Sequence, residues 1–583
     1  MRRALPEVSR RRSGRGRQVV PAVSIFTAAL LVRLVHLTCI RDVPFFDVPV
    51  GDARAYVDWG LRIAEGDWIG SEPFYQAPLY PYLLGVIFRV TGPSLVAVRL
   101  VQVVMGGLSC VLLTGVAGRC FGRRAGWAAG LMLAFYPPAI FFDGLIQKTS
   151  LACFLTCALL SAWSKLVTRA SCGGGAVAGA LLGLLILTRE NAWAWSPLLV
   201  VTPWGLGRKA EGGRQVRVGV AAGVIAGLAA VLTPVGARNW RVGGEWSFST
   251  FQMGPNFYIG NGRDADGRYR PLVRGHETPE FERSDAVRLA ESAEGRSLTS
   301  REVSRYWMAR ALAEMRESPL RAVQLLGLKA LMALNVYEVG DVEAFSVYRR
   351  ESPVLGVLGR VLNFGVVLGL ASAGAAATWR RRKARNWLGA MFLAMLVAVS
   401  AFFILGRYRF PLVLVMMPWA GAGLLHITRN VMRRRTGRLR VAVFAGAAGA
   451  CLAFVPPVHP EARLDALALS NLGVAYAERG DLSSALDCFS RAAEVFPESA
   501  ETRFNLARAL VLSGRAGEAL EHFEAASVCA PDVIEIHLAW AEALEELGRS
   551  SEAHARYETA ARLDPSEVRA RAGLMRTSPS SKP

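Results

Sequence analysis

Acidic residues stand beside the ends of apolar segments at three places in the chain. Asp52 follows the first apolar run in the sequence GDARAYVDWG, Asp143 ends the run FYPPAIFFDG, and Glu190 follows LTR. A carboxylate in such a place can act as a general base that deprotonates an acceptor hydroxyl. Aspartate is also a good helix N-cap, so a purely structural role for Asp52 stays open. Tyr56 belongs to an apolar stripe after Asp52, which predicts a helix lying on a membrane surface.

Basic residues flank the same apolar segments. Lys148 begins the run after FFDG, Arg189 precedes the glutamate of LTREN, and the motif GRYRFPL places Arg407 and Arg409 at the mouth of a later run. Arginine binds phosphate through two parallel hydrogen bonds, so these residues are candidates for an anionic head group. The alternatives are exposed ion pairs worth about 0–1 kcal/mol and arginines that extend to lipid head groups.

One segment combines glycine, asparagine and aromatic residues with few aliphatic ones: RNWRVGGEWSFSTFQMGPNFYIGNGRDADGRYRPL. A sugar presents hydroxyl groups at its rim, which amides can bond, and C–H groups on its faces, which aromatic rings can cover. Asn256, Tyr258 and Asn261 are therefore candidates for substrate binding. A turn-rich loop at the interface is the alternative.

The composition places these residues in a membrane protein. The chain has 583 residues, 52% of them apolar, and a formal net charge of +21. Apolar runs near 20 residues argue against a soluble nucleic-acid binder, and cytoplasmic loops of membrane proteins collect lysine and arginine. The nine cysteines form no CxxC pair, and neither HExxH nor a phosphate loop ending in GK[ST] occurs. The sequence therefore assigns no metal ligand or cofactor, leaves a divalent metal open, and argues against an ATP-driven pump.

The charges of the loops predict the direction in which each apolar run crosses the membrane. The arginine-rich segment 1–20 predicts a cytoplasmic N-terminus, and the basic loops alternate consistently if segments 78–91 and 319–337 lie in the interface. Two long loops, about 41–94 and 237–353, then lie outside, together with the three acids and the C-terminus. The eleven predicted spans are about 21–40, 95–117, 126–142, 148–166, 174–188, 192–206, 216–236, 354–378, 386–405, 409–427 and 439–456.

The C-terminal part of the chain repeats with a period of 34 residues. Gly480, Gly514 and Gly548 follow this period, and so do alanine, aromatic and proline positions. This pattern predicts three tetratricopeptide repeats plus an end helix over 464–575, followed by a disordered tail over 576–583. Such an α-solenoid supplies binding surface or spacing and no catalytic groups. Recruitment of a protein partner and packing against the outer loops of the membrane domain are both open.

The order of the motifs resembles the GT-C superfamily of polytopic glycosyltransferases. The run from Asp52 through FYQAPLYPYLLG, which includes Tyr75, is followed by FFDGLIQK, LTREN, NFYIGN…ADGRY and GRYRFPL. The resemblance spans about residues 20–430. It is to bacterial members of the protein O-mannosyltransferase and aminoarabinose-transferase type, glycosyltransferase family 39, some of which carry C-terminal tetratricopeptide repeats.

This resemblance implies an inverting transfer from a polyprenyl-phosphate sugar, with Asp52 as base and Asp143 as the second acid. Cations would bind the departing phosphate, and polar and aromatic side chains would bind the substrate. The phosphate candidates are Lys148, Arg407 and Arg409, and the substrate candidates are Tyr56, Tyr75, Arg189, Glu190, Asn256, Tyr258 and Asn261.

The expected protein is all-α, with a GT-C-type membrane domain over 21–460 followed by the tetratricopeptide solenoid. Its expected place is the plasma (inner) membrane, with the repeats on the periplasmic side. Its expected partners are the lipid-linked donor, membrane lipid and a protein, glycan or lipid acceptor, with no nucleic acid. The alternatives are a polytopic transporter or flippase and a cell-envelope assembly factor whose repeats recruit partners. The transporter is disfavoured because the charged residues lie at the ends of the spans.

Overall fold

The chain is helical throughout the parts that its computed structural model describes, which are residues 12–205, 213–273, 276, 279–456 and 461–578. Within these ranges helices and turns occur and strands do not, so the predicted all-α fold class is confirmed. The first helix begins at Arg12, inside the predicted N-terminal tail, whose residues 1–11 lie outside the described ranges. The last helix ends at Thr577, and residues 579–583 of the predicted tail also lie outside them.

Among the described residues, six helical segments are long and apolar enough to cross a membrane, and a pair bent by 50° makes up to seven. A helix satisfies its own backbone hydrogen bonds, which is what a lipid environment requires. The multi-pass helical membrane domain is therefore confirmed. Its long helices are α1 (Arg12–Cys39), α4 (Leu95–Phe121), the bent pair α5 (Arg123–Ala134) and α6 (Pro137–Gly144), α7 (Thr149–Thr168), α10 (Gly213–Gly243), α16 (Pro353–Val361) with α17 (Phe364–Ala377), and α19 (Gly406–Met432).

Other predicted spans correspond to shorter apolar helices. The predicted span 192–206 is instead a 3-10 turn, Glu190–Trp195, followed by a ten-residue helix, and residues 206–212 lie outside the described ranges. The predicted number of eleven spans therefore stays a prediction. The shorter helices are α3 (Leu79–Thr91), α8 (Cys172–Ile186), α9 (Ser196–Gly205), α18 (Arg382–Ser400) and α20 (Thr436–Ala453).

The two loops predicted to lie outside the membrane carry their own helices. The predicted surface helix after the first span is present and starts at Asp52, and the amphipathic helix predicted near 319–337 is present as Pro319–Ala333. A 3-10 turn, Pro44–Phe46, precedes the first of them. These helices are α2 (Asp52–Glu65), α11 (Met253–Asn261), α12 (Pro279–Glu294), α13 (Ser300–Glu317), α14 (Pro319–Ala333) and α15 (Phe345–Glu351).

The C-terminal helices alternate as the 34-residue period predicts. Gly480, Gly514 and Gly548 end the first helix of each pair with positive φ angles of 85°, 74° and 74°, a conformation that glycine adopts without strain. The three pairs and the end helix are α21 (Glu461–Glu478) with α22 (Leu482–Val495), α23 (Ala500–Leu512) with α24 (Ala516–Cys529), α25 (Ile534–Glu546) with α26 (Ser550–Leu563), and α27 (Val568–Thr577).

The first repeat packs differently from the other two. Ala468, Leu472 and Ala475 of α21 are buried in the same hydrophobic core as the membrane domain. A separate core contains Phe489 of α22 together with Phe523 and Tyr557 of the second and third repeats. Buried apolar area is the main source of stability, so α21 attaches the first repeat to the membrane domain while α22 attaches it to the solenoid.

Candidate active site

A cleft of about 1440 Å³ lies between the membrane domain and the repeats. One wall carries the polar residues at the helix ends of the membrane domain, including Asp52, Lys148 and Arg407. The opposite wall comes from the repeats and contributes aromatic, aliphatic and charged side chains such as Phe504 and Arg508. Pockets for small ligands usually measure about 300–1,000 Å³, so this cleft has room for more than a single sugar.

Asp52 is presented to the cleft by the start of α2. Gly51 precedes it with a φ of 58°, and a Cβ atom at Gly51 would lie 2.7 Å from Cγ2 of Val342, so this tight turn requires glycine. Gly51 is the N-cap residue, and no side chain caps this helix. The Asp52 carboxylate instead accepts hydrogen bonds from Arg407 Nη1 at 2.7 Å and from Gln76. Its role is therefore different from the N-cap that the sequence left open.

Arg407 lies between two acidic side chains, Asp52 and Asp341, which together form an acid pair. It is the second residue of α19, and its Nη2 lies 2.9 Å from Asp341 Oδ2 while its Nη1 binds Asp52. Its Nε is buried and has no partner among the described residues. Burial and the Asp52 charge raise the pKa of Asp341 against the pull of Arg407. Burial also acts to raise the pKa of Asp52, but the charges of Arg407 and Lys148 outweigh it and hold that pKa below its usual value.

Two further cations face the cleft. Lys148 precedes α7 and lies 5.8 Å from the centre of the Tyr56 ring. Arg189 follows α8, donates a 2.7 Å hydrogen bond to Thr149 Oγ1, and has a buried Nε without a partner in the described chain. Burial lowers the pKa of Lys148, and burial together with Arg407 lowers the pKa of Arg189 to about 10. Arg189 and Arg407 both line the cleft, and their positive charges favour an anion there.

Most of the other predicted substrate residues also line the cleft. Glu190 accepts hydrogen bonds from Thr250 at 2.6 Å and from Gln252 at 2.9 Å. The sequence-predicted residues that the cleft brings together are Asp52, Tyr56, Lys148, Arg189, Glu190, Asn256, Tyr258 and Arg407.

Asp143, predicted as the second acid, is not among the residues that line this cleft. Its Oδ2 lies 2.6 Å from Arg33 Nε inside the helical bundle, and its Oδ1 accepts a 2.5 Å hydrogen bond from Ser150. A Cβ atom at Gly106 would lie 2.0 Å from Asp143 Oδ2, so α4 leaves space for this pair. The role of Asp143 as second acid stays a prediction, and the acid that shares Arg407 with Asp52 in the structure is Asp341.

Three more predicted residues point elsewhere. Arg409 forms an ion pair with Glu338 at 2.6 Å and bonds the backbone of Asn335, away from the cleft. Asn261 bonds Lys329 Nζ at 2.8 Å and the backbone of α11 and of Ala401. Tyr75 reaches the site indirectly, because its hydroxyl donates a 3.4 Å hydrogen bond to Glu282, which does line the cleft.

Sequence reasoning missed Asp341, Gln76 and Glu282. Asp341 could have been found from the sequence, because the tripeptide Val-Gly-Asp that contains Asp52 at 50–52 occurs again at 339–341. Glu282 lies on the charged helix α12, where an acid is ordinary; burial and the Asp52 charge raise its pKa to about 7. Among the described residues, no group of three or more His, Cys, Asp or Glu could hold a metal ion.

Comparisons with known proteins match two parts of the chain. Residues 75–235 match the family model of dolichyl-phosphate-mannose-protein mannosyltransferases, and residues 464–527 match that of the tetratricopeptide repeat. The first match begins after Asp52 and ends before Asp341 and Arg407. No curated protein matches the chain.

Solved structures with similarity to this chain include an oligosaccharyltransferase and ArnT. The oligosaccharyltransferase of Archaeoglobus fulgidus, tethered to an acceptor peptide, is 15% identical with a TM-score of 0.42, over 80% of this chain and 58% of that one. ArnT from Cupriavidus metallidurans, bound to undecaprenyl phosphate, is 17% identical with a TM-score of 0.40, over 88% and 80% of the two chains. This chain thus spans less than two thirds of the oligosaccharyltransferase. On the two family matches, the chain carries a glycosyltransferase-family domain of the dolichyl-phosphate-mannose-protein mannosyltransferase type, followed by tetratricopeptide repeats.

Proposed function

We propose that this protein transfers a sugar from a polyprenyl-phosphate donor to an acceptor hydroxyl, with Asp52 as general base. The observation that carries the proposal is that Asp52 shares one cleft with the cations Lys148, Arg189 and Arg407. The match of residues 75–235 to a family that uses dolichyl-phosphate mannose supports a lipid-phosphate donor. A transporter is less well supported, because these charges lie at helix starts rather than in the middle of broken spans.

The transfer step needs only groups that line the cleft. The acceptor oxygen attacks the anomeric carbon, the bond from that carbon to the phosphate oxygen breaks, and its electron pair leaves with the polyprenyl phosphate. Asp52 takes the proton of the acceptor hydroxyl. Attack opposite the departing phosphate inverts the anomeric centre.

The cations act on the charge that develops on the leaving phosphate. Donors fixed in advance stabilise such charge without reorganisation at the moment of reaction. A bound phosphate also competes with Asp52 for Arg407, whose charge holds the Asp52 pKa down. Donor binding therefore raises the pKa of Asp52 towards its usual value and makes it a better base when the donor is in place.

The acceptor reaches this site from the side of the repeats. Phe496, Phe504, Val533 and Ile536 of the repeat wall face the same cleft as Asp52. A solenoid surface of this kind raises the local concentration of a bound substrate beside the catalytic groups. The acceptor hydroxyl, whether of a protein, glycan or lipid, is then brought to Asp52 across the cleft.

The site belongs, in this proposal, to the outer face of the plasma membrane. The basic loops alternate with the predicted spans so that Asp52, the segment 237–353 and the repeats share one side, opposite the arginine-rich segment 1–20. A lipid-linked donor enters that side laterally between helices, so the site needs no nucleotide.

Substitution of the base tests the proposal. The purified protein, reconstituted with a polyprenyl-phosphate sugar, is expected to release polyprenyl phosphate and to glycosylate a hydroxyl acceptor. Asp52→Asn keeps the shape but removes the basicity, so the transfer rate is expected to fall by about 10²–10⁴. The thermal unfolding midpoint should stay near that of the wild type.

Asp58→Asn is the matched control, because Asp58 is an exposed acid on the same helix α2. It is expected to leave both transfer and stability unchanged. Full transfer by the Asp52→Asn protein, or equal losses in the two variants, would contradict the assignment of the base.

A further inference from the structure

The first repeat touches both loops that bring acids to Arg407. On helix α21, Asn471 Nδ2 donates a 3.0 Å hydrogen bond to the backbone carbonyl of Val342, the residue after Asp341. On the same helix, Glu478 forms an ion pair with Arg54, two residues after Asp52. One repeat helix therefore contacts two loops that are far apart in sequence.

Val342 links these contacts to the acid pair. Its backbone amide donates a hydrogen bond to the Asp341 carboxylate, while its carbonyl accepts the bond from Asn471. Its side chain packs against Gly51, directly before Asp52. A shift of Val342 would move Asp341 and the start of α2 together.

The contact with Asn471 differs from the other polar contacts between the domains. Arg54 and Glu478 are 44% and 33% exposed, and an exposed pair of this kind contributes about 0–1 kcal/mol. The bond from Arg479 to the carbonyl of Asp42 is also exposed. Asn471 is half-buried beside the buried Leu472, which packs in the core of the membrane domain.

We propose that the first repeat is a positioning element of the active site, in which Asn471 holds Val342 so that Asp341 and Asp52 share Arg407. The proposal rests on the proposed function of Asp52. Asn471 acts through Val342 and touches no reacting atom. It sets the charge that Arg407 offers to Asp52, and with it the basicity of Asp52. The second and third repeats take no part in this contact.

Two polar contacts between the first repeat and the membrane domain test this role. Arg479, directly after α21, also links the first repeat to the membrane domain, because it donates a hydrogen bond to the carbonyl of Asp42 without contacting Val342. With a small acceptor, Asn471→Ala is expected to lower kcat by about 10-fold to 10²-fold through misplacement of the acid pair. Arg479→Ala is expected to keep the wild-type kcat, and both variants should keep the wild-type unfolding midpoint.

The pH profile separates positioning from simple docking. Asp52 in the Asn471→Ala protein loses part of the charge that holds its pKa down, so the acid limb of the kcat profile should move to higher pH. Asn471→Asp has the same shape but no N–H donor and should behave like the alanine variant. Asn471→Gln keeps the donor and should recover part of the rate.

Failure of the positioning role and failure of the proposed function give different experimental results. If the wild type is active and Asp52→Asn is inactive, but Asn471→Ala matches Arg479→Ala in kcat and pH profile, the positioning role is wrong. It is also wrong if kcat falls only in proportion to a lowered unfolding midpoint, with the acid limb unmoved. If the wild type transfers no sugar, or Asp52→Asn is fully active, the proposed function fails instead.

Discussion

Two arginine–aspartate pairs in this protein have nearly the same length and opposite surroundings. Arg33 and Asp143 lie 2.6 Å apart inside the helical bundle, and Arg407 and Asp52 lie 2.7 Å apart at the edge of the cleft. Arg33 also bonds two backbone carbonyls, and Ser150 bonds Asp143. Arg407 instead divides its charge between two acids and keeps a buried Nε without a partner among the described residues.

The two ion pairs differ in how completely their hydrogen-bond donors and acceptors are satisfied. A buried ion pair is stable when further hydrogen bonds satisfy its remaining donors and acceptors, and the Arg33 pair is close to that state. Arg407 is one cation for two carboxylates at the edge of an open cleft, so an anionic donor can displace a carboxylate from it. We infer that the closed pair holds helices together and that the open one takes part in chemistry.

The strongest test of this comparison replaces both arginines in the same way. Arg407→Gln is expected to lower kcat/KM for the lipid donor by about 10²–10³, the loss typical of one transition-state donor. Arg33→Gln is expected to reduce the yield and thermal stability of folded protein while the surviving molecules keep their kcat. Kinetics normalised to the amount of folded protein separate the two effects. A similar rate loss in both variants would contradict the assignment of a structural role to Arg33 and a chemical role to Arg407.

Removal of both partners sharpens the comparison. Asp143→Asn leaves Arg33 buried without its counter-charge and is expected to cost about 3–5 kcal/mol of stability. The double variant Arg33→Met with Asp143→Leu removes both charges and is expected to recover most of that stability, as measured by thermal unfolding in detergent. The corresponding pair Asp52→Leu with Arg407→Met should stay inactive, because the cleft pair is needed for its charges. Recovery of activity in this second double variant would contradict the proposed role of Asp52 and Arg407 in catalysis.

The smallest expected effect concerns Glu282, whose pKa is raised to about 7. As the pH rises through 7, Glu282 gains negative charge in the cleft and repels an anionic donor. The KM for the donor should therefore rise about threefold between pH 6 and 8, which corresponds to roughly 0.7 kcal/mol of repulsion. Glu282→Gln should make KM independent of pH over this range. Glu294→Gln, at the exposed end of α12, is the control and should keep the wild-type dependence.

The repeats could be predicted in detail from the sequence because their contacts are local. A glycine every 34 residues marks a turn that depends only on its neighbours, and all three predicted turns are present. The members of the site could be predicted only as a set of candidates. Asp52 and Arg407 were both found, but their contact joins residues 355 positions apart, which no local pattern reveals.

Helix geometry explains the residues that lie elsewhere. Arg407 and Arg409 are two residues apart on α19, and residues at this spacing do not share a face of a helix. Only one of them can reach the cleft, and the spacing alone could have predicted this. The surroundings of Asp143 are harder to predict from sequence. Its position at a helix end does not tell which way the helix is rotated, and this rotation turns the side chain towards Arg33. Gly106, which leaves space for that pair, is an ordinary glycine in the sequence.

The contact between the first repeat and the membrane domain has a consequence for biogenesis. Arg54 and Glu478 are 424 residues apart, so the loop that carries Asp52 is synthesised long before the helix that packs against it. At about 5–20 residues per second, this delay amounts to roughly 20–80 s. During that time the outer loops have no repeat to cover them, and their apolar surface is available to chaperones or to misfolding. A chain cut short before α21 would carry every residue of the acid–arginine network and would lack the helix against which its loops pack.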